Sequence, residues 1–134
     1  MRYHVLTADL LHRSARKARE LGHGYVGSAH ILLSLSREPG AAGQVLRMLG
    51  VNPELTESIT QLLYGTGTPD LPLPQGLTTE ARNLLYLAAG EAKGQKSREI
   101  MPQHLLLAMA RQESSTAAQL LQLSGISGDE LFTH

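Results

Sequence analysis

The chain repeats itself. Sliding the sequence by 74 positions places Leu10 and Leu11 on Leu84 and Leu85, Ala18 on Ala92, and His30 on His104. The same shift places Leu32 and Leu33 on Leu106 and Leu107, and Arg37 on Arg111. With one more residue, Gly50-Val51 falls on Gly125-Ile126. Matches of like residues at one constant offset mark a duplicated unit, so the fold must consist of two copies of one set of elements. Between the copies, residues 65–76 hold three Gly and three Pro. Pro fixes φ and lacks an amide donor, so no helix crosses this stretch. The expected organisation is repeat 1 (1–64), a linker (65–76) and repeat 2 (77–134).

Each repeat reads as four helices. In the second, Thr78 is placed to cap a helix whose apolar stripe is Ala81, Leu84, Leu85, Ala88, Ala89 and Ala92, a spacing that lies along one helical face. Its counterpart runs from about His4 to Leu21 with the stripe Leu10, Leu11, Ala15 and Ala18. The second helix of each repeat is apolar on nearly all sides, as in Ile31-Leu32-Leu33 and Leu105-Leu106-Leu107, which suits the middle of a bundle. Ser28 is the expected cap of the first, and Pro102 fits the first turn of the other. Third helices span Ala41 to Leu49 and about Thr116 to Leu123, stopped by Gly50 and Gly125. A fourth begins at Asn52-Pro53 with Leu55, Ile59, Leu62 and Leu63 on one face. Its second copy begins at Ser127, spaced from Glu130 as a capping box, and breaks off early at His134. That shortened copy points to a longer parent protein. The fold class is all-α: two tandem four-helix repeats related by a pseudo-two-fold axis.

Composition narrows the function. There is no Cys, which excludes disulfides and thiolate chemistry and suits a reducing compartment. The longest apolar run is far below the roughly 20 residues of a membrane helix, and the N-terminus has no secretory h-region. A cytoplasmic protein with no membrane association is expected. Twelve basic and twelve acidic residues balance, against general nucleic-acid binding. Charge is uneven, however, with Arg13, Arg16, Lys17 and Arg19 gathered in the first helix. That cluster reads either as a solvated face or as a patch steering a charged partner.

The reactive motifs fail on inspection. Gly94-Gln95-Lys96-Ser97 resembles the end of a phosphate-binding loop but lacks Gly before Lys and a preceding strand, so it reads as a helix exit. The six His form no i, i+4 pair and no His-Glu-x-x-His, so no metal is expected. His30 and His104, equivalent in the two repeats, are expected to hydrogen-bond backbone at a helix start or pack between repeats. No nucleophile has a supporting set, and no cofactor is implied. A DNA-reading helix-turn-helix would need polar side chains where the second helices are apolar.

The segment from Leu21 to Leu33, Leu-Gly-His-Gly-Tyr-Val-Gly-Ser-Ala-His-Ile-Leu-Leu, resembles the signature of the Clp N-terminal repeat at the front of Hsp100 unfoldases, and is nearest the ClpC kind. Arg37-Glu38, Ala41-Ala42, Val45-Leu46 and Leu49-Gly50-Val51 continue the match, and the stretch from Ile100 to Met109 repeats it more loosely. The resemblance implies a domain of eight helices that docks protein substrates and adaptors for a downstream ATP-driven AAA+ ring and its partner peptidase. The resemblance further implies that such a domain has no enzymatic activity of its own. The alternative is a free-standing accessory or adaptor protein of the same fold. The resemblance also bears on phosphoarginine. Similar domains that recognise it carry Glu after the capping Thr in each repeat, whereas this chain has Ser28-Ala29 and Pro102-Gln103. Without carboxylates to pair with a guanidinium-derived group, weak or no phosphoarginine binding is expected. A shallow hydrophobic groove is the expected capture surface, edged by Ser28, Ala29, Pro102, Gln103 and Thr7.

Overall fold

A computed structural model describes residues 2–64, 76–112 and 115–123. Its elements are β1 (Arg2–Tyr3), α1 (Val5–Glu20), α2 (Ser28–Ser36), α3 (Ala41–Met48), α4 (Pro53–Tyr64), α5 (Thr79–Gly94), β2 (Glu99–Ile100), α6 (Pro102–Arg111) and α7 (Thr116–Leu123). The linker, apart from Gly76, and the expected eighth helix lie outside the described residues.

The caps explain where helices begin. Thr78 Oγ1 accepts from Ala81 N–H at 3.0 Å, and Asn52 Oδ1 accepts from the amides of Glu54 and Leu55. Pro102 opens α6. The α2 start differs from expectation. Gly27 holds the cap position and Ser28 is the first helical residue. Its hydroxyl is engaged elsewhere, because it faces the other repeat. The two conserved-offset histidines cap instead. Gly27 N–H donates to His30 Nδ1 at 2.9 Å and Met101 N–H donates to His104 Nδ1 at 2.8 Å.

Every residue of α2 is buried, and α2 packs against α1 and α3 to α7. The core joins both repeats through Leu10, Leu32, Leu46, Leu84, Leu105 and Leu120. One expected face is turned only in part, since Ile59 still packs against the core. Leu55 and Leu62 of α4 are exposed, the latter at 82%, while Thr56 and Thr60 are buried. Each of these threonines donates its hydroxyl proton to the carbonyl four residues earlier, so its burial leaves no orphaned polar atom.

Two short parallel pairings, invisible to the all-helical reading, close the molecule. Tyr3 lies opposite Ile100 in the β1–β2 ladder, and Leu77 lies opposite Val26 in an isolated bridge. Shifting by 74 exchanges one pairing for the other. His4 N–H donates to Ile100 O at 3.0 Å, and its equivalent, Thr78 N–H, donates to Val26 O at 2.9 Å. Likewise α3 packs on α6 and α7 packs on α2. The pseudo-two-fold axis therefore relates strands and helices alike. Gly94 to Ser97 is indeed the exit from α5, with Lys96 at φ 58° matching Gly22 at φ 75° after α1.

Candidate docking site

Helix α5 works on two faces. Ala81, Leu84, Ala88 and Ala92 are fully buried in the core. Arg82, Leu85, Tyr86, Ala89 and Lys93, at i, i+3, i+4, i+7 and i+11, line a depression of about 390 Å³ with Tyr3 and Ile100. Strand pairing places these last two. Ile100 is also held from inside, where Thr7 Oγ1 donates to its carbonyl at 2.7 Å. Tyr86 is 80% exposed and Tyr3 is exposed in part. Burial of its ring raises the Tyr3 phenol above its ordinary pKa. The site thus offers two aromatic rings, an aliphatic floor and a cation toward each end. Its lining holds no His, Asp or Glu.

The pseudo-two-fold equivalents of these positions are Leu77, Ala8, Leu11, His12, Ala15, Arg19 and Val26. The symmetry copies the backbone but not this chemistry, since both tyrosines and one cation are replaced.

A second polar cluster joins the halves. Ser28 Oγ donates to Glu80 Oε1 and accepts from Ala117 N–H at 3.1 Å; Thr116 N–H donates to the same carboxylate oxygen at 2.6 Å. Glu80 thus supplies the negative charge at the start of α7, where unpaired amides favour it. This cluster borders a shallow depression lined by Thr79, Asn83, Gln112 and Ser115. Its acid is satisfied internally.

A third depression lies beside the basic cluster of α1. There Arg13 pairs with Asp9 and Glu38, Lys17 pairs with Glu20 and Glu57, and Arg37 pairs with Glu57. Lys17 is raised: burial pulls it down, and the bonds and charges of Glu57 and Glu20 outweigh that. Glu57 is lowered, chiefly by its bond to Lys17. Arg13 and Lys17, half of the α1 cluster, are thus neutralised within the fold.

The residues expected at a groove edge do not form one surface. Thr7, Ser28 and Ala29 are fully buried and Pro102 is buried, while Gln103 is exposed. Thr7 braces Ile100 from behind, and Ser28 joins the Glu80 cluster. Tyr3, Arg82, Tyr86 and Lys93 were not anticipated. Their signal was present as a second stripe on α5, beside the alanine stripe that dominates the pattern. Among the described residues no group of three His, Asp or Glu is placed to hold a metal, and no helix is long and apolar enough to cross a membrane.

The family model of the Clp repeat (R) N-terminal domain matches residues 4–75 and again 76–133. The chain belongs to the Clp N-terminal repeat family. It is 31% identical over 121 residues to the chloroplast chaperone protein ClpC2 of Arabidopsis thaliana, covering 90% of this chain and 13% of that protein. It is 34% identical over 107 residues to a ClpA homologue, an ATP-dependent Clp protease ATP-binding subunit, of Guillardia theta, covering 79% of this chain and 13% of that one. The chain therefore spans only about an eighth of these relatives. Among solved structures, the N-terminal domain of the chaperone ClpD from Arabidopsis thaliana superposes with a TM-score of 0.79 at 14% identity, covering 98% of this chain and 90% of that one. The Hsp104 N-terminal domain from Candida albicans gives 0.77 at 15% identity, covering 99% and 88%. These likenesses establish the fold of the Clp N-domain.

Proposed function

We propose that this Clp N-domain docks protein segments, from substrates or adaptors, in the depression beside α5, and hands them to a Clp/Hsp100 ATP-driven ring. The observation that carries the reading is the half-open, largely apolar site between Tyr3 and Tyr86, formed where two repeats meet. Exposed aromatic rings over an aliphatic floor are the usual anchors of protein recognition. The AAA+ ring and peptidase are partners by family, whether in the same chain or, for a free-standing accessory protein, in another. Work in the cytoplasm, away from nucleic acid and membrane, is part of this proposal. The positions expected from sequence enter as frame and rim. Thr7 braces Ile100, Pro102 opens the helix that follows it, and Gln103 is exposed in the first turn of that helix. Ser28 and Ala29 anchor the repeat 1 half. With Ala29 and Gln103 in place of carboxylates, phosphoarginine is not the recognised group.

The test is capture of a permanently unfolded model protein, such as reduced casein, by the immobilised chain. Tyr86→Ala, at a largely exposed ring, should leave the circular dichroism spectrum unchanged and weaken capture several-fold. Undiminished capture by Tyr86→Ala and by Leu85→Asp would remove the site from consideration. Calorimetry should show no micromolar binding of free phosphoarginine.

A further inference from the structure

Resting on the docking reading above, we infer that the α5 depression selects segments in which an apolar centre is flanked by acidic residues about five positions apart. Arg82 and Lys93 both line it. They lie eleven residues apart on one helix, about 16 Å at 1.5 Å per residue. Leu85, Tyr86 and Ala89 fill the interval. An extended peptide covers that distance with about five residues at 3.3 Å each. The spacing therefore sets two cations at the ends of one short strand's length of apolar surface.

Both cations are open to a visitor. The ion pairs among the described residues use Arg13, Lys17, Arg37 and Arg111, and neither Arg82 nor Lys93 enters one. Of the acids on α5, Glu80 is committed to Ser28 and Thr116, and Glu91 is committed to Arg111. The pseudo-equivalent surface has Ala8 where Arg82 stands, so the acidic preference belongs to one side of the molecule. Charge complementarity thus points to a carboxylate-flanked client segment. Like charges would meet a basic-flanked one, and such mismatches are how rims reject partners.

Three fluorescein-labelled peptides with a common Leu-Phe-Leu-Leu centre, which sets the Glu, Ser or Lys ends five positions apart, distinguish the outcomes by polarisation. The Glu-ended peptide should bind about five- to tenfold more tightly than the Ser-ended one at low salt, the range two exposed ion pairs supply. The difference should close in molar salt. The double variant R82E/K93E should reverse the order and prefer Lys ends. Equal binding of all three peptides, lost in Tyr86→Ala, would overturn the acidic preference and leave the docking reading standing. Binding of none would overturn both. Self-association of the unvaried chain that Tyr86→Ala abolishes would give the site to a second copy and overturn the inference likewise.

Discussion

His30 is a fully buried imidazole whose two nitrogens are both spoken for. Its Nδ1 accepts from Gly27 N–H, so in the neutral ring Nε2 carries the proton and faces His23 Nδ1 at 2.8 Å. A second proton has to displace the Gly27 bond at the start of α2. Burial, and secondarily the neighbouring His23, lower its pKa from 6.5 to about 4. The sign follows directly. The unfolded chain takes up this proton near pH 6.5, while the folded one resists until about pH 4. Stability is therefore complete above the first value and declines as pH falls through the interval. The total loss is roughly 3 kcal/mol over that window. His104 is also lowered by burial, partly countered by Glu91, and contributes in the same direction. Urea unfolding at a series of pH values should show this decline, and His30→Gln should flatten it between pH 6.5 and 4. An unchanged slope in that variant would assign the acid sensitivity elsewhere.

Helix crossings depend on single atoms. At Gly43 an added Cβ would lie 1.9 Å from Glu38 O and 2.8 Å from Leu35 O, so α3 could not keep its approach to the end of α2. Gly43→Ala should lower the unfolding free energy by about 3 kcal/mol. Gly90, on the exposed side of α5, meets nothing within 4 Å. There the same change should raise stability by about 0.5–1 kcal/mol, because Ala loses less backbone freedom in a helix. Urea midpoints of the two variants should move in opposite directions. This contrast also shows what the sequence discloses. Local signals were readable: the Thr78 and Asn52 caps, Pro102, the alanine stripe of α5 and the all-round burial of α2 follow from neighbours within a few residues. Non-local ones were not. A two-residue strand has no period to detect, and Leu55 and Leu62 look like core until the partners of α4 are known. Ser28 looks like a cap until Glu80, 52 residues away, claims its hydroxyl. The docking stripe was hidden for the same reason, since Arg82, Tyr86 and Lys93 gain meaning only once Tyr3 and Ile100 stand beside them.

At the scale of the whole molecule, Glu80 connects α5 to α2 and α7, and thus one repeat to the other. The equivalent residue in repeat 1 is Leu6, which is 47% exposed, so this connection is made once. Glu80→Ala strands the Ser28 hydroxyl and the Thr116 amide and should reduce stability by about 2 kcal/mol. Glu80→Gln, which keeps an acceptor, should lose less; an equal loss in both would place the effect in charge rather than hydrogen bonding. The reciprocal strand pairs have a wider consequence. Each half lends its opening residues to the other, which is the arrangement of an isologous dimer whose subunits have been spliced head to tail. Such an object tolerates scission better than amputation. Two fragments made by severing the backbone between residues 65 and 75 should find each other when mixed and co-elute as a one-to-one pair, whereas either fragment by itself lacks the strand that finishes it.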